Sequence, residues 1–417
     1  MTRGILKPEN TLKYIATLIL FGSCVYALCY YSNLLPVAQT INILVVFLCM
    51  GLALINLMSN RYFINSVPLL FMCLCVGNMF ISGLIQNSLL EIIPTAIRYC
   101  LYLFTANLCY FLVKNQGIAS YYNVIKSFNR VGIVLTVSFV CLEVLLNDVD
   151  YLNGAYRVAG SFKKHQLGEA MFVFILLIYN IFLSKRDFKN NIISLVLLII
   201  LFSTQSRALI GVIFCVGMLY YILKLKSLWK LVVGLAIISL ILIGAYYVII
   251  YTDILPRFKV MLLSDDGMYD SSTLERVEIM ENSLNNIKGV FQYIGIGIGG
   301  FQQFYYDITG RDAVAAHNNY LLFYIEGGYI SLIAYILFQV TLGASIIKRL
   351  RISNSPIVGI TFFFFMGITV MSFLLNNYYF YCSETMVWSS IGAYLGFLRR
   401  ETNFKKYYEK NIIFSSK

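Results

Sequence analysis

The stretch NNIISLVLLIILFSTQSRALIGVIFCVGMLYYILK, residues 190–224, holds two apolar runs, 190–204 and 208–224, parted by one short polar break. Neither run alternates apolar and polar residues, as the ~10-residue strands of a membrane barrel would. Apolar blocks in this chain instead approach the roughly 20 residues that carry a helix across a ~30 Å hydrocarbon core. The break, Ser203-Thr204-Gln205-Ser206-Arg207, reads as a tight hairpin between two helices. It sets a cation at membrane depth or just above it.

The same texture recurs on both sides. Of 417 residues, 59% are hydrophobic and 12% charged, and the mean hydropathy is +0.76. That leaves too little charge to cover a water-facing surface. Spans are predicted near 13–32, 38–58, 65–85, 89–113, 131–147, 167–184, 190–204, 208–224, 230–251, 318–345, 356–375 and 379–398. The fold class is therefore all-α integral membrane, with about twelve transmembrane helices in a single polytopic domain over 1–417. The first apolar stretch, Tyr14 to Tyr31, follows Arg3, Lys7 and Lys13 and has no small-residue cleavage site, so it is expected to stay as an uncleaved first span.

Charge tests that count. Alternate connectors carry Arg61; then Lys114, Lys126 and Arg130; then Lys185, Arg186 and Lys189; then Lys224, Lys226 and Lys230; then Lys348, Arg349 and Arg351. With the tail 399–417, which holds Arg399, Arg400, Lys405 and Lys406, they place both termini in the cytoplasm by the positive-inside rule. The formal net charge of +12 thus reports membrane orientation and not a nucleic-acid partner. Nearly all ten cysteines fall inside apolar segments and read as small packing residues. Cys73-x-Cys75 lacks zinc-ligand spacing, and no metal is expected.

Two outer connectors exceed what joining neighbouring helices requires: 148–166 and the large loop 252–317. In the second, Ser272-Thr273-Leu274-Glu275 has capping-box spacing, and Leu274, Val277, Met280, Leu284 and Ile287 share one face up to Lys288-Gly289. An amphipathic helix at the outer membrane surface is predicted, with Arg276 bordering its apolar stripe. Gly295-Ile296-Gly297-Ile298-Gly299-Gly300 has no strand–helix unit around it, so it reads as a flexible turn returning the chain to the membrane. Asp265, Asp266 and Asp270 lack the pattern of a calcium loop.

Candidate chemistry collects on the outer side. His165 and His317 are the two histidines. A histidine near a membrane cleft can serve as general base toward a hydroxyl, because its pKa lies near working pH; it can equally help cap a helix. Arg157, Arg207 and Arg276 lie outside the cytoplasmic face, and a planar guanidinium grips phosphate bidentately. Arg98 falls within the fourth span, seven residues after Glu91 and on roughly the same helical face. It is either a site residue or half of a structural ion pair. Outer aromatics such as Tyr305, Tyr306, Tyr378 and Tyr379 could stack on sugar rings.

Four pieces, in order, give the chain a family resemblance. They are Tyr156-Arg157-Val158-Ala159-Gly160-Ser161-Phe162; Thr204-Gln205-Ser206-Arg207-Ala208; Glu275-Arg276 followed by Gly295-Ile296-Gly297-Ile298-Gly299; and His317-Asn318 with Gly328 and Ser331 beyond. Over roughly 155–345 the chain resembles the O-antigen ligase/polymerase superfamily. Ser331 departs from the ligase form, where Gly, Thr or Tyr is more usual. The resemblance implies a membrane glycosyltransferase at the periplasmic face of the bacterial inner membrane, working without metal or cofactor. Its implied partners are an undecaprenyl-diphosphate-linked glycan donor, a glycan acceptor and the bilayer, with a chain-length regulator and a flippase alongside. Carried over, His317 activates the acceptor hydroxyl, Arg207 and Arg276 hold the donor diphosphate, and Arg157 assists. Lys163, Lys164, His165, Asn318 and Arg98 are secondary candidates. The Ser331 departure favours a repeat-unit polymerase over the alternative, a ligase delivering polysaccharide to lipid A–core. A lipid-linked glycan flippase is disfavoured by the absence of half-to-half repetition.

Overall fold

The computed structural model describes residues 66–86, 89–146, 149–152, 155–158, 166–225, 228–251, 271–311, 316–373 and 381–415, with isolated positions 13, 16, 17 and 20. Each predicted span from the third onward falls on a helix, although the helix at 131–147 begins at Ile118 and the one at 379–398 runs on to Ser415; the first two lie outside the described residues apart from those isolated positions. In chain order the helices are α1 (Val67–Gln86), α2 (Leu89–Gln116), α3 (Ile118–Leu145), α4 (Gln166–Leu183), α5 (Phe188–Ser203), α6 (Arg207–Lys224) and α7 (Leu228–Tyr251). Three short helices follow, α8 (Ser271–Asn286), α9 (Phe291–Ile294) and α10 (Phe301–Thr309), and then α11 (Asn319–Ile352), α12 (Pro356–Met371) and α13 (Tyr381–Ser415). A small antiparallel hairpin of β1 (Asp150–Leu152) and β2 (Ala155–Arg157) pairs Asp150 with Arg157 between α3 and α4.

Among the described residues four helices are long and apolar enough to cross a membrane, including α3 and α11, and shorter apolar helices are present as well. The protein is an α-helical, multi-pass membrane protein. Its main core is closed by small residues that let backbones approach: Gly392 of α13 lies against the Ala106 carbonyl of α2, and Gly396 against that of Tyr110. Buried hydroxyls knit the centre. Tyr121 OH meets Ser389 Oγ at 3.1 Å and Ser390 Oγ at 2.9 Å, and Tyr179 OH meets Ser390 Oγ at 2.9 Å. In an apolar surround each hydroxyl needs such a partner.

The bundle has two chemically distinct ends. At one, Lys224 Nζ donates to Ser353 O at 2.8 Å, Tyr122 OH accepts from Ile357 N at 2.9 Å, and Arg349 pairs with Glu401. At the other end sit the α5–α6 turn, the start of α11 and the end of α12. There Asn319 N donates to Ser372 O at 2.8 Å and Asn319 Nδ2 to Ser372 Oγ at 3.0 Å.

The predicted span 318–345 differs in two ways from α11. The helix runs on to Ile352, and it is broken at Gly328, whose φ of 63° and ψ of −167° are not helical. A break there takes the carbonyls of residues 325 to 327 away from their i+4 donors. The chain between α9 and α10 supplies replacements. Ile296 N donates to Ile325 O at 2.9 Å, Gly297 N to Glu326 O at 2.9 Å, and Asn78 Nδ2 of α1 to Gly327 O at 2.7 Å. Ile298 N then bonds Met79 O at 3.0 Å, and Ser82 Oγ donates to Gly295 O at 2.7 Å. The glycine-rich segment is therefore a turn, as read from sequence, but a buried and bonded one and not a flexible one. Gly295, Gly297 and Gly299 take φ of 78°, 95° and 78°, which side-chain-bearing residues avoid.

A Cβ at Gly295 would strike the Glu326–Gly327 peptide, whereas one at Gly289, also at positive φ, would meet nothing. Both alanine variants carry the strain of a left-handed residue, about 1–2 kcal/mol. Gly295→Ala should add an overpacking cost of about 1–3 kcal/mol and lower the thermal midpoint in detergent clearly more than Gly289→Ala. Equal midpoints for the two variants would show that the turn is not locked against α11.

Candidate functional site

The amphipathic helix appears as α8, but its protein-facing side differs from the predicted stripe. Leu274, Val277, Met280 and Leu284 are exposed, while Ile279, Ser283 and Ile287 are buried. These three recur four residues apart and so form one face. Ile279 and Ile287 join a second, smaller core with Phe301, Tyr305, Ala316 and Leu321 over the first half of α11. The outward stripe is left free for lipid, and Arg276, half-buried, sits on the side turned toward the protein. Tyr305 is only 4% exposed and stacks on Phe301, so it is a core residue and not a sugar platform; Tyr306 remains exposed. Tyr378 and Tyr379 lie outside the described residues, as do Asp265, Asp266 and Asp270.

His317 stands immediately before α11. Its backbone is left-handed, φ 52°, which is uncommon for a residue with a side chain and marks an imposed conformation. The next residue explains how it is held. Asn318 is the N-cap of α11, its Oδ1 accepting from Tyr320 N at 2.8 Å and Leu321 N at 3.1 Å, and Asn319 is clamped to Ser372. So the Asn318 candidate is a capping residue that aims its neighbour. Burial lowers the pKa of His317, the charge of Arg276 lowers it further, and Glu275 opposes both. Burial and Arg276 both favour the neutral imidazole, the form a proton acceptor needs.

The two other arginines come together by backbone. Val158 N donates to Ser203 O at 3.1 Å, which ties Arg157 and the β-hairpin to the turn that opens α6. In that turn Gln205 takes φ 53° and Gln205 N bonds Phe202 O at 3.0 Å, so the predicted tight hairpin is present, with Arg207 as the first residue of α6. Gly367 near the end of α12 backs onto Val212 of α6. This sets the start of α6 at the same end of the bundle as Ser372, Asn319 and His317. The structure thus yields two juxtapositions at one end, Arg157 beside the Arg207 turn and Arg276 beside His317. Lys163, Lys164 and His165 lie outside the described residues.

Arg98 goes elsewhere. Its charge acts on Glu326 of α11, a carboxylate only 1% exposed that also receives the N–H groups of Gly299 and Phe301. Nine residues separate Glu326 from His317, about 13 Å of helix. Arg98 is thus set toward the buried carboxylate of the broken helix, whereas the sequence had placed Glu91 on its helical face. Glu326 itself was missed, although a carboxylate inside an apolar span, followed by Gly327-Gly328, was visible to inspection. Ser331 also finds an account: its Oγ donates to Cys75 O at 2.9 Å and accepts from Asn78 Nδ2 at 3.0 Å. A small hydroxyl residue at this place serves the α1–α11 seam.

Residues 192–336 match the family model described as O-antigen ligase. The matched stretch takes in the α5–α6 turn, α8, the glycine turn, His317 and the break in α11, and it supports the likeness to the O-antigen ligase/polymerase superfamily. No curated protein matches the chain.

Because the folded pKa of His317 is depressed, the stability tied to its neutral form is whole above the unfolded value near 6.5 and is lost as pH falls through the folded one. Wild type should therefore lose stability below about pH 6.5 more steeply than His317→Gln. Histidine NMR in a His165→Gln background should show His317 titrating low. Arg276→Gln should move that titration up and Glu275→Gln should move it further down. A titration unmoved by Arg276→Gln would break the pairing.

Proposed function

We propose that the chain is a membrane glycosyltransferase that polymerises undecaprenyl-diphosphate-linked oligosaccharide repeat units, building O-antigen or a related surface polysaccharide at the periplasmic face. The observation that carries this reading is a half-buried histidine fixed in a left-handed turn at the start of α11, with Arg276 acting on it. In the proposed step an acceptor sugar hydroxyl attacks the anomeric carbon of the donor glycan. The bond from that carbon to the diphosphate oxygen breaks, its electron pair leaves with undecaprenyl diphosphate, and the hydroxyl proton passes to His317. Arg276 and Arg207 hold the diphosphate and offset the charge that grows on it, with Arg157 assisting. Guanidinium charge takes the part a divalent cation plays elsewhere, so the transfer is read as metal-independent.

A ligase that moves finished polysaccharide onto lipid A–core is the second reading, favoured by the description of the matching family. Donor chemistry is common to both. Ser331 no longer separates them, because its contacts with Cys75 and Asn78 give it a packing role in either enzyme.

The proposed frame is a single domain of twelve spans in the bacterial inner membrane, with 252–317 periplasmic and 399–417 cytoplasmic. The gathering of Lys224, Arg349 and neighbouring cations at the end opposite His317 supports it. Alkaline phosphatase fused after residue 311 should be active and after residue 415 inactive; the reverse pattern would overturn the orientation.

Deleting the gene in its host and complementing it tests the reaction. Loss of the surface glycan ladder with one repeat unit still on lipid A–core identifies a polymerase. Long chains accumulating on undecaprenyl diphosphate, with none on the core, identify a ligase. His317→Ala should fail to restore the ladder, its transfer rate falling about 10²–10⁴-fold as for loss of a general base. An unchanged ladder in the deletion strain would sink both readings.

A further inference from the structure

At the basic end of the bundle, away from His317, α3 and the α4–α5 hairpin enclose a cleft of 560 Å³. Lys126 and Arg130 reach it from α3, four residues apart and so on one face. Lys185 and Lys189 reach it from the α4–α5 connector and the first turn of α5. All four are exposed, and the ion pairs Arg311–Glu278 and Arg349–Glu401 do not involve them. One carboxylate lines the cleft, that of Asp187, and its Oδ1 is engaged as the N-cap of α5, accepting from Asn190 N at 2.8 Å. Four cations face one engaged anion.

A row of cations that served only to orient the chain in the membrane would need no cavity behind it. This one has both a fixed frame and an apolar wall. Asn180, 4% exposed, donates through Nδ2 to Asn190 O at 3.0 Å and Ser194 Oγ at 2.8 Å, and its Oδ1 accepts from Ser184 Oγ at 2.8 Å. That clamp fixes the connector, and with it the backbone of Lys185 and Lys189. The N-terminus of α5, a helix of 16 residues, opens beside the cleft and adds the positive end of its dipole. Asn129, only 5% exposed, lines the same space with an Oδ1 that has no hydrogen-bond partner. Behind the cations the walls are Ile133, Val134, Leu183 and Ile193.

We propose that this cleft binds a phosphate ester, held as the head group of an anionic phospholipid in the leaflet at the basic end of the bundle. The cations would take the phosphate, as basic pockets between membrane helices do. The isoleucine, valine and leucine wall would take the first carbons of an acyl chain, for which a soluble phosphate has no use. The site is independent of the transferase reading, since none of its residues lies at the His317 end.

The test uses the full chain in neutral detergent, with native mass spectrometry after addition of equal amounts of phosphatidylglycerol and phosphatidylcholine. Wild type should retain phosphatidylglycerol in preference. Lys126→Gln/Arg130→Gln and Lys185→Gln/Lys189→Gln should each weaken that retention on the order of tenfold or more, while Lys288→Gln at the other end leaves it intact. These are surface substitutions, and unchanged thermal unfolding would confirm that the variants fold. Retention that survives inorganic pyrophosphate assigns the phosphate to lipid; complete displacement by pyrophosphate assigns the cleft to a soluble phosphate and overturns the lipid reading. Equal retention of the two lipids with no response to pyrophosphate, or equal losses in Lys288→Gln, would overturn it. The surface-glycan ladder is read separately, so a failure here leaves the proposed reaction untouched.

Discussion

A helix cannot be broken inside a membrane bundle unless its freed backbone groups find partners, and α11 is broken at Gly328. The carbonyls of Ile325, Glu326 and Gly327 are taken up by the glycine turn and by Asn78 of α1. Much of the outer end of the molecule follows from that exchange. The turn must run alongside α11, so it needs glycines at positive φ where Gly295 meets the Glu326–Gly327 peptide. Because α8 leads into that turn and packs with α10 over the first half of α11, Arg276 is delivered to the side facing His317. The position of one arginine thus depends on a backbone defect eleven residues beyond the histidine it acts on.

Electrostatics at this end divide into two unlike pairs. Glu326 is buried, with two backbone N–H groups donating to it and Arg98 acting on it, contacts that tie the glycine turn to α11. His317 has the opposite surroundings. Its strongest neighbour is a like charge, its burial is partial, and its backbone is held out of the favoured regions by the cap at Asn318 and the clamp at Asn319. Groups that stabilise a fold are commonly matched, and groups that do chemistry are commonly left poised. Arg98 acts on the buried carboxylate, and Arg276 acts on the poised histidine.

The two ends also differ in what they offer to the bilayer. One presents a histidine, arginines and an amphipathic helix with its apolar stripe turned outward. The other gathers lysines and arginines, partly in ion pairs and carbonyl contacts and partly around an open cleft with apolar walls. A chain whose cations did nothing but set orientation could scatter them along the connectors. Here Asn180 and the Asp187 cap fix the connector that carries two of them.

The sequence by itself determined the membrane class, the places of the described apolar helices and of α8, and the tight turn ahead of Arg207, because hydropathy and turn residues act over a few neighbours, while α9 and α10 went unread. It also marked His317, Arg157, Arg207 and Arg276 in an order that gave the family resemblance. Only the tertiary structure decided which face of α8 is buried, since Leu274, Val277, Met280 and Leu284 are as apolar as Ile279 and Ile287 and periodicity cannot choose between two apolar stripes. It alone decided that the charge of Arg98 acts on Glu326, that Tyr305 is core, and that the glycine segment is locked and not loose. Each of these rests on a contact between residues far apart in the chain, such as Ile298 with Met79 or Gly297 with Glu326. Local pattern carries no record of such a partner; packing supplies it.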